Sequence, residues 1–282
     1  MADPKQQASI ERMRRFDIRP RRKLGQNFLI DNNILDVIAS AADLQVDDVV
    51  LEVGGGLGVL SEFLAARVSR LHVIEIDNKL SDALDDAVGG LENVTVHYGD
   101  AVDIDFGELD PAPTKLIANL PYNVAATCVI KAFYELPALE LCCVMAQREV
   151  GERLTASPSS KLYAGTSVLV QAISGQTTTR KLSRNIFHPV PNVDSSLVTL
   201  KRTAENPPPA FNALVHGAFA HRRKPLASSL ALTRRGCDDA DTIKPRAVAA
   251  LAQLGYDANT RAEQLPAVDF LRLNELISED RG

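Results

Sequence analysis

The sequence lacks the features of a membrane protein, a disulfide framework and a metal-cluster protein. No apolar run approaches the ~20 residues that a membrane span needs, and no apolar stretch follows the charged N-terminal residues as in a signal peptide. The four cysteines form no Cys-x-x-Cys pair and have no nearby histidine array, so we interpret them as reduced thiols. Internal repeats and low-complexity segments are also missing. We therefore expect a cytoplasmic protein with no metal site and no membrane partner.

The chain does have the length and the apolar content for a sizeable core. Its 282 residues, of which 45% are hydrophobic, favour one large domain plus a smaller one. Short apolar runs alternate with segments of helical spacing, which is typical of parallel βαβ units and predicts an α/β, Rossmann-like sheet. The predicted strands cover residues 49–53, 70–77, 93–100, 114–119 and 139–147, with further strands near the sheet edge at 167–175 and 195–202.

A run of three prolines at 207–209 marks a change in the chain, because consecutive prolines belong neither to a helix nor to an inner strand. Beyond it, apolar residues recur at helical spacing between Pro and Gly stops, so we expect a small all-helical domain. The predicted organisation is a basic N-terminal arm at 1–22, an α/β domain at 23–203 and the helical domain at 204–282.

The net charge of −5 conceals an uneven distribution. Residues 1–30 carry eight Lys or Arg against three Asp or Glu, whereas residues 31–115 carry four against eighteen. Two basic clusters are candidates for phosphate contact, although they are equally compatible with solvated faces or a disordered tail. The candidate cations are Arg21, Arg22, Lys23, Arg222, Arg223 and Lys224.

A glycine-rich turn, Gly-Gly-Gly-Leu-Gly at 54–58, follows the first predicted strand. Glycines there permit a tight turn and close approach of a ligand. Glu75 ends the second strand, where a carboxylate can accept both ribose hydroxyls, and Asp100 ends the third, where it can accept an adenine amino group. Because the glycine spacing differs from that of a dinucleotide pyrophosphate site, the pattern favours S-adenosylmethionine, and an NAD-dependent dehydrogenase is the weaker alternative.

The tetrapeptide Asn119, Leu120, Pro121, Tyr122 ends the fourth predicted strand beside that site. The Asn119 amide can accept a hydrogen bond from an exocyclic amino group, and the Tyr122 ring can stack on a base. Pro121 restricts Leu120 to an extended conformation, which leaves the Leu120 carbonyl available as a second acceptor. The alternative is that the tetrapeptide only starts and caps the following helix.

Eight segments in this order resemble one family, the ribosomal RNA adenine N6-dimethyltransferases, and most closely its universal small-subunit members. The resemblance runs from about residue 13 to 273, nearly the whole chain. The segments that carry it are RRKLGQNFLID (21–31), LEVGGGLGVLS (51–61), VIEID (73–77), GDA (99–101), ANLPYNV (118–124), MAQREVGERL (145–154), FHPVPNVDSSLV (187–198) and AFAHRRKPLASSL (218–230).

The resemblance implies a role for each part of the site. Asn27, Leu29, Gly54 and Gly56 would line the S-adenosylmethionine pocket. Glu75 would bind the ribose and Asp100 the adenine amino group. Asn119 would lie between the cofactor and the target base, where Leu120 and Pro121 shape the acceptor. Phe187 and Tyr122 would stack on the flipped adenine, and core packing is the alternative for Phe187.

The activity that the resemblance implies is transfer of methyl groups to N6 of two adjacent adenines in the 3′-terminal hairpin loop of small-subunit rRNA, by a monomer acting on a pre-ribosomal particle. Two alternatives stay open: a large-subunit rRNA dimethylase that confers macrolide resistance, and an RNA-binding assembly factor without turnover. The chain departs from the family at Gly55, where proline is common, in a glycine shifted by one at Gly165, and in Pro225. The last two concern the RNA contacts and leave the cofactor site intact.

Overall fold

The structure is a computed structural model that describes residues 4–121, 124–237, 239 and 241–279. Contacts between residues divide the chain into two compact units. The first contains Met1–Gly151 and Gly175–Arg202, and the second contains Glu152–Ser174 and Thr203–Gly282. Residues 152–174 thus group with the C-terminal helices, while the functional division into 1–22, 23–203 and 204–282 stays a prediction.

The first unit is built on a seven-stranded mixed sheet with the order β4-β3-β2-β5-β6-β9-β7. The strands from β4 to β6 run parallel, and β9 pairs antiparallel with β6. A separate pair, β1 and β8, is antiparallel. The strands are β1 (Phe28–Leu29), β2 (Val49–Val53), β3 (Arg70–Glu75), β4 (Val94–Tyr98), β5 (Lys115–Asn119), β6 (Leu141–Gln147), β7 (Ser174–Leu182), β8 (Phe187–His188) and β9 (Ser195–Arg202).

The helices follow the strands in alternation and then dominate the C-terminal part, which confirms the predicted α/β class with added helices. The inner strands are buried along nearly their whole length, because helices cover both faces of a parallel sheet. The helices are α1 (Pro4–Arg15), α2 (Asn33–Ala41), α3 (Val59–Ala65), α4 (Ser81–Val88), α5 (Ala125–Glu135), α6 (Arg148–Leu154), α7 (Gly165–Gln171), α8 (Ala210–Phe219), α9 (Leu226–Thr233), α10 (Ile243–Gln253) and α11 (Ala267–Glu279).

Helix α1 packs onto the first unit, so the basic arm has a fixed place in it. Met13 is buried in a small apolar cluster. The Ser9 hydroxyl donates to the Leu29 carbonyl at 2.7 Å, and Arg12 donates to the Leu57 carbonyl at 2.9 Å. Arg12 also pairs with Asp86 at 3.3 Å. Part of the positive charge of the arm is therefore neutralised by carboxylates of the same unit.

The second unit is helical, and one predicted strand in it is wrong. Residues 167–175 form most of α7 and only the start of β7. A short apolar run has the same appearance in a buried strand and in a buried helix. The helix is favoured because the Ser167 hydroxyl accepts a hydrogen bond from the Ala164 backbone N–H at 3.0 Å and so caps its first turn. No helix within the described ranges is long and apolar enough to cross a bilayer.

Candidate active site

The carboxyl ends of four neighbouring strands meet at one edge of the sheet. Gly54 directly follows β2, Glu75 ends β3, Asp100 stands two residues after β4, and Asn119 ends β5. All four line a single cavity of about 880 Å³, a volume that includes space open to solvent. The polar residues predicted from the strand ends are therefore brought together around one site.

The glycine turn after β2 forms one wall of this cavity. Gly54 and Gly56 have φ of +86° and +57°, a region that other residues rarely adopt. A Cβ atom at Gly55 would lie only 2.6 Å from the Val73 side chain, so the second glycine of the run is needed for packing. The Gly56 N–H donates to Glu75 at 2.8 Å. The turn is thus fixed against the neighbouring strand with its backbone exposed to a ligand.

Glu75 is held in place by backbone donors. Only 4% of the residue is exposed, Oε2 accepts from Gly56 and Oε1 accepts from the Asp77 N–H at 2.8 Å. Burial raises the pKa of Glu75, while these two hydrogen bonds partly offset the effect. Each carboxylate oxygen has a second lone pair. The group can therefore accept two further hydrogen bonds from adjacent hydroxyls.

Asn119 is tied to the segment that precedes β1. Its Nδ2 donates to the Asn27 carbonyl at 2.9 Å, which holds the amide at the edge of the cavity. The Leu120 N–H donates to Met145 at 3.0 Å, and the Leu120 carbonyl accepts no hydrogen bond from the described part of the chain. Tyr122 lies outside the described residues. Two acceptors, the Asn119 amide oxygen and the Leu120 carbonyl, are thus available next to each other.

Leu29 and Phe187 are paired in the β1–β8 ladder, and neither residue is part of the main cavity's lining. Both belong to the apolar core, and Phe187 is only 1% exposed. Leu29 lines a second, smaller cavity of about 310 Å³ that shares Phe28, Gly54, Gly56 and Asn119 with the first. Stacking of Phe187 on a base would require its side chain to become accessible.

The sequence-based reasoning missed the segment that covers the cavity. Residues 23–28 form a continuous part of the lining, whereas only Asn27 of these six was predicted to line the cofactor pocket and Lys23 was predicted to contact RNA. Gln26 and Arg21 both donate to Asp77, at 2.8 and 2.9 Å. Asp77 is the last residue of the motif VIEID. Nothing in the sequence around it indicates that its partners, Gln26 and Arg21, stand 51 and 56 positions earlier.

In each basic cluster an arginine is paired with a carboxylate and at least one other cation is exposed to solvent. Arg21 pairs with Asp77, the Arg22 side chain lies outside the described part, and Lys23 is exposed beside the cavity. In the second unit, Arg222 pairs with Glu263 at 2.6 Å and also donates to the Lys161 carbonyl at 3.1 Å. Arg223 and Lys224 are exposed. The exposed cations are the better candidates for phosphate contact.

The groups that line the cavity are compatible with S-adenosylmethionine. Glu75 and Asp100 offer carboxylate oxygens that can accept hydrogen bonds from hydroxyl or amino groups, and Asp100 Oδ1 already accepts from the Val102 N–H at 2.9 Å. Ile76, 45% exposed, adds an apolar surface to the lining. Within the described ranges no three His, Cys, Asp or Glu side chains are grouped so that they could hold a metal ion.

Comparison with known proteins gives consistent relatives. A ribosomal RNA small subunit methyltransferase A from Rubrobacter xylanophilus is 40% identical over 262 residues, which covers 92% of this chain and 96% of the relative. The protein of that name from Thermobifida fusca is 40% identical over 268 residues, 92% of this chain and 90% of the relative.

Solved structures share the architecture. A dimethyladenosine transferase from Plasmodium falciparum superposes with a TM-score of 0.70 at 24% identity, over 87% of this chain and 95% of that one. The 23S rRNA methyltransferase ErmE gives 0.63 at 26% identity, over 89% of this chain and all of that one. The first of these likenesses concerns the fold alone.

Residues 18–277 match the family described as ribosomal RNA adenine dimethylase. The match takes in the whole lining of the cavity, from Lys23 to Val124. The predictions of a Rossmann-like methyltransferase sheet, of S-adenosylmethionine as cofactor and of an rRNA adenine N6-dimethyltransferase are confirmed. The chain belongs to the ribosomal RNA adenine dimethylase family.

Proposed function

We propose that this chain transfers methyl groups from S-adenosylmethionine to N6 of two adjacent adenines in the 3′-terminal hairpin loop of small-subunit rRNA during ribosome assembly. The observation that carries the proposal is the strand-end cavity, in which Glu75, Asp100 and Asn119 surround one space. The relatives that are 40% identical over 92% of the chain are named as small-subunit enzymes, which favours this substrate.

In this proposal the cofactor is held by the residues of the strand ends. Glu75 accepts the ribose hydroxyls, Asp100 accepts the adenine amino group, and Gly54, Gly56 and Asn27 approach the remainder through their backbones. Leu29 supports this wall from the core side. When bound, S-adenosylmethionine supplies an electrophilic methyl group on its sulfonium.

The target adenine is held by Asn119 and Leu120, with Pro121 keeping the chain extended. N6 of adenine is a poor nucleophile because its lone pair is delocalised into the ring. The Asn119 amide oxygen and the Leu120 carbonyl accept the N6 hydrogens, which holds the nitrogen in place and helps it towards a tetrahedral shape. Positioning of this kind can supply up to ~7–11 kcal/mol of the barrier. No general base is required in this scheme, since the methylated nitrogen carries a positive charge and releases its proton to water.

Tyr122 and Phe187 are proposed to stack on the flipped base. Stacking on an aromatic side chain is worth ~1–3 kcal/mol per base. Tyr122→Phe should retain most activity because the ring remains, whereas Tyr122→Ala should weaken capture of the RNA. If Tyr122→Phe is as damaging as Tyr122→Ala in single-turnover methylation, the hydroxyl and not the ring is what the site uses.

RNA is proposed to contact the exposed cations Lys23, Arg223 and Lys224, with Arg21, Arg22 and Arg222 as further members of the two basic clusters. Phosphate contacts dominate nucleic-acid affinity and depend on salt. The physiological partner is then a partly assembled small subunit, bound by a monomer in the cytoplasm.

The second candidate function is methylation of large-subunit rRNA, favoured by the similarity to ErmE at 26% identity. Labelled methyl groups from S-adenosylmethionine should enter unmethylated small subunits and not bare large-subunit RNA. Incorporation into the large-subunit RNA alone would replace the proposal by the second candidate. Tight binding to small subunits without any incorporation would instead indicate an assembly factor.

A further inference from the structure

The segment of residues 21–28, named here the strap, contributes residues 23–28 to the cavity lining and is tied to two strand ends. The Asn27 carbonyl accepts from Asn119, the last residue of β5, at 2.9 Å. Arg21 and Gln26 donate to Asp77, two residues beyond β3. The strap is therefore one wall of the cavity, attached to two different strand ends.

Asp77 is the centre of the tie on the β3 side. Its side chain is 3% exposed. Oδ1 accepts from Arg21 Nη1 at 2.9 Å, and Oδ2 accepts from Gln26 Nε2 at 2.8 Å. The Gln26 Oε1 in turn accepts from the Arg21 backbone N–H at 2.8 Å. These three hydrogen bonds close a ring, so the removal of one member loosens the other two.

Asp77 also touches the ribose acceptor. Its backbone N–H donates to Glu75 Oε1 at 2.8 Å. Burial tends to raise the pKa of Asp77, but the Gln26 amide, the Lys79 N–H and Arg21 outweigh this effect and lower it. The carboxylate stays ionised and keeps its attraction for Arg21. One residue thus orients Glu75 through its peptide and holds the strap through its side chain.

We propose that Asp77, Arg21 and Gln26 form a latch that keeps the strap closed over bound S-adenosylmethionine, with Asp77 acting as a positioning residue and not as a ligand of the cofactor. The inference rests on the proposed function, because it assumes that the cavity is the cofactor site. In this proposal Arg21 holds the strap through Asp77 instead of making the phosphate contact predicted for it.

The test is cofactor binding in the absence of RNA. Calorimetry with S-adenosylmethionine and S-adenosylhomocysteine should show about five- to tenfold weaker binding for Arg21→Ala and for Gln26→Ala, as expected for loss of a partly exposed charged hydrogen bond. Arg21→Lys should recover part of the loss. The matched control is Arg19→Ala. Arg19 Nε lies 3.8 Å from Asp17 Oδ1, and both side chains are 89% exposed.

Two further readouts separate a latch from a general loss of structure. KM for S-adenosylmethionine should rise by about the same factor as the dissociation constant, while kcat changes less than about twofold, because Arg21 and Gln26 bond to Asp77 and the tie of Asn27 to Asn119 stays in place. Combining Arg21→Ala with Asp77→Asn should cost less than the sum of the single changes. Thermal unfolding identifies any variant that has failed to fold.

The outcomes are distinguishable. If the unmodified protein binds neither S-adenosylmethionine nor S-adenosylhomocysteine, the proposed function fails. If the unmodified protein binds them and folded Arg21→Ala and Gln26→Ala bind equally well, the latch is overturned. Strictly additive effects of Arg21→Ala and Asp77→Asn would overturn it as well. A flattened salt dependence of RNA binding in Arg21→Ala, with cofactor affinity unchanged, would return Arg21 to the RNA surface.

Discussion

The cofactor cavity and the basic stretch at 222–224 hold their polar groups in opposite ways. In the cavity, Glu75 is 4% exposed and has a backbone donor on each carboxylate oxygen. In the basic stretch, Arg223 and Lys224 are exposed, whereas Arg222 is paired with Glu263. Group transfer depends on a few atoms at fixed positions, whereas attraction for a polyanion depends on charge and tolerates mobile side chains. Substitutions in the two regions should therefore fail in different ways.

The largest effect is expected at Asn119. Asn119→Ala should leave RNA binding intact yet lower the rate of methyl transfer at least about a hundredfold, on the order of 3 kcal/mol, as the loss of a preorganised polar contact does. The measurement is single-turnover methylation of small subunits at saturating cofactor. Since Asn119 also donates to Asn27, cofactor affinity must be measured for the same variant. A near-normal rate would mean that the tetrapeptide only starts α5.

Glu75→Ala should come next. It removes the proposed acceptor for the ribose hydroxyls, so S-adenosylmethionine affinity should fall by roughly 30-fold, or about 2 kcal/mol, the scale of hydrogen bonds to a charged group. Calorimetry without RNA is the measurement, and Glu92→Ala, a substitution of an exposed carboxylate, is the matched control. Unchanged affinity in a folded Glu75→Ala protein would remove Glu75 from the site.

Glu52 is a second buried carboxylate, and the effect of its burial should be seen in the stability of the fold. It is 1% exposed, its Oε2 has no hydrogen-bond partner within the described structure, and burial raises its pKa from 4.5 to about 8. At a pH between those two values, the Glu52 carboxyl is ionised in the unfolded chain and protonated in the folded protein. The contribution of Glu52 to the free energy of unfolding should therefore fall as the pH rises through this window, with a slope approaching ~1.4 kcal/mol per pH unit.

Glu52→Gln keeps the shape of the side chain and removes the titration. Urea unfolding across the same window should give a flatter dependence of stability on pH for this variant. Asp82→Asn, a substitution of an exposed carboxylate in α4, serves as the control. Equal slopes for the variant and the unmodified protein would show that Glu52 is already ionised in the folded state.

The smallest effects are expected in the basic stretch. Arg223→Ala and Lys224→Ala should each flatten the log–log salt dependence of RNA binding by roughly one unit and leave cofactor affinity unaltered. Arg222→Ala should change that slope less, because Arg222 is engaged with Glu263, and should cost under ~1 kcal/mol of stability since the pair is partly exposed. An equal change of slope for all three variants would mean that the Arg222–Glu263 ion pair breaks when RNA binds.

The strand ends could be predicted because each lies where a buried apolar run stops. The glycine turn, Glu75 and Asn119 all stand at such points, and the parallel alternation of strands and helices places these ends at one edge. The sheet order then brings them around one cavity. The sequence is informative here because buried strands, and their alternation with helices, follow from the local order of apolar and polar residues.

Contacts between distant segments left no comparable signal. The β1–β8 pair is two residues long on each side, too short for a pattern, and it places Phe187 in the core. The ties of Arg21 to Asp77 and of Arg222 to Glu263 join residues 56 and 41 positions apart, so each charge looked free in the sequence. The strand predicted at 167–175 failed for another reason, since its apolar run fits a buried helix equally well.

The contacts of helix α1 limit when it can pack during synthesis. Its hydrogen-bond partners Leu57, Glu62 and Asp86 follow Arg12 by 45, 50 and 74 residues. At ~5–20 residues per second, several seconds pass before β2, α3 and α4 offer the helix a surface. Helix α1 therefore cannot reach its final position when it is first made and must wait until α4 has been synthesised.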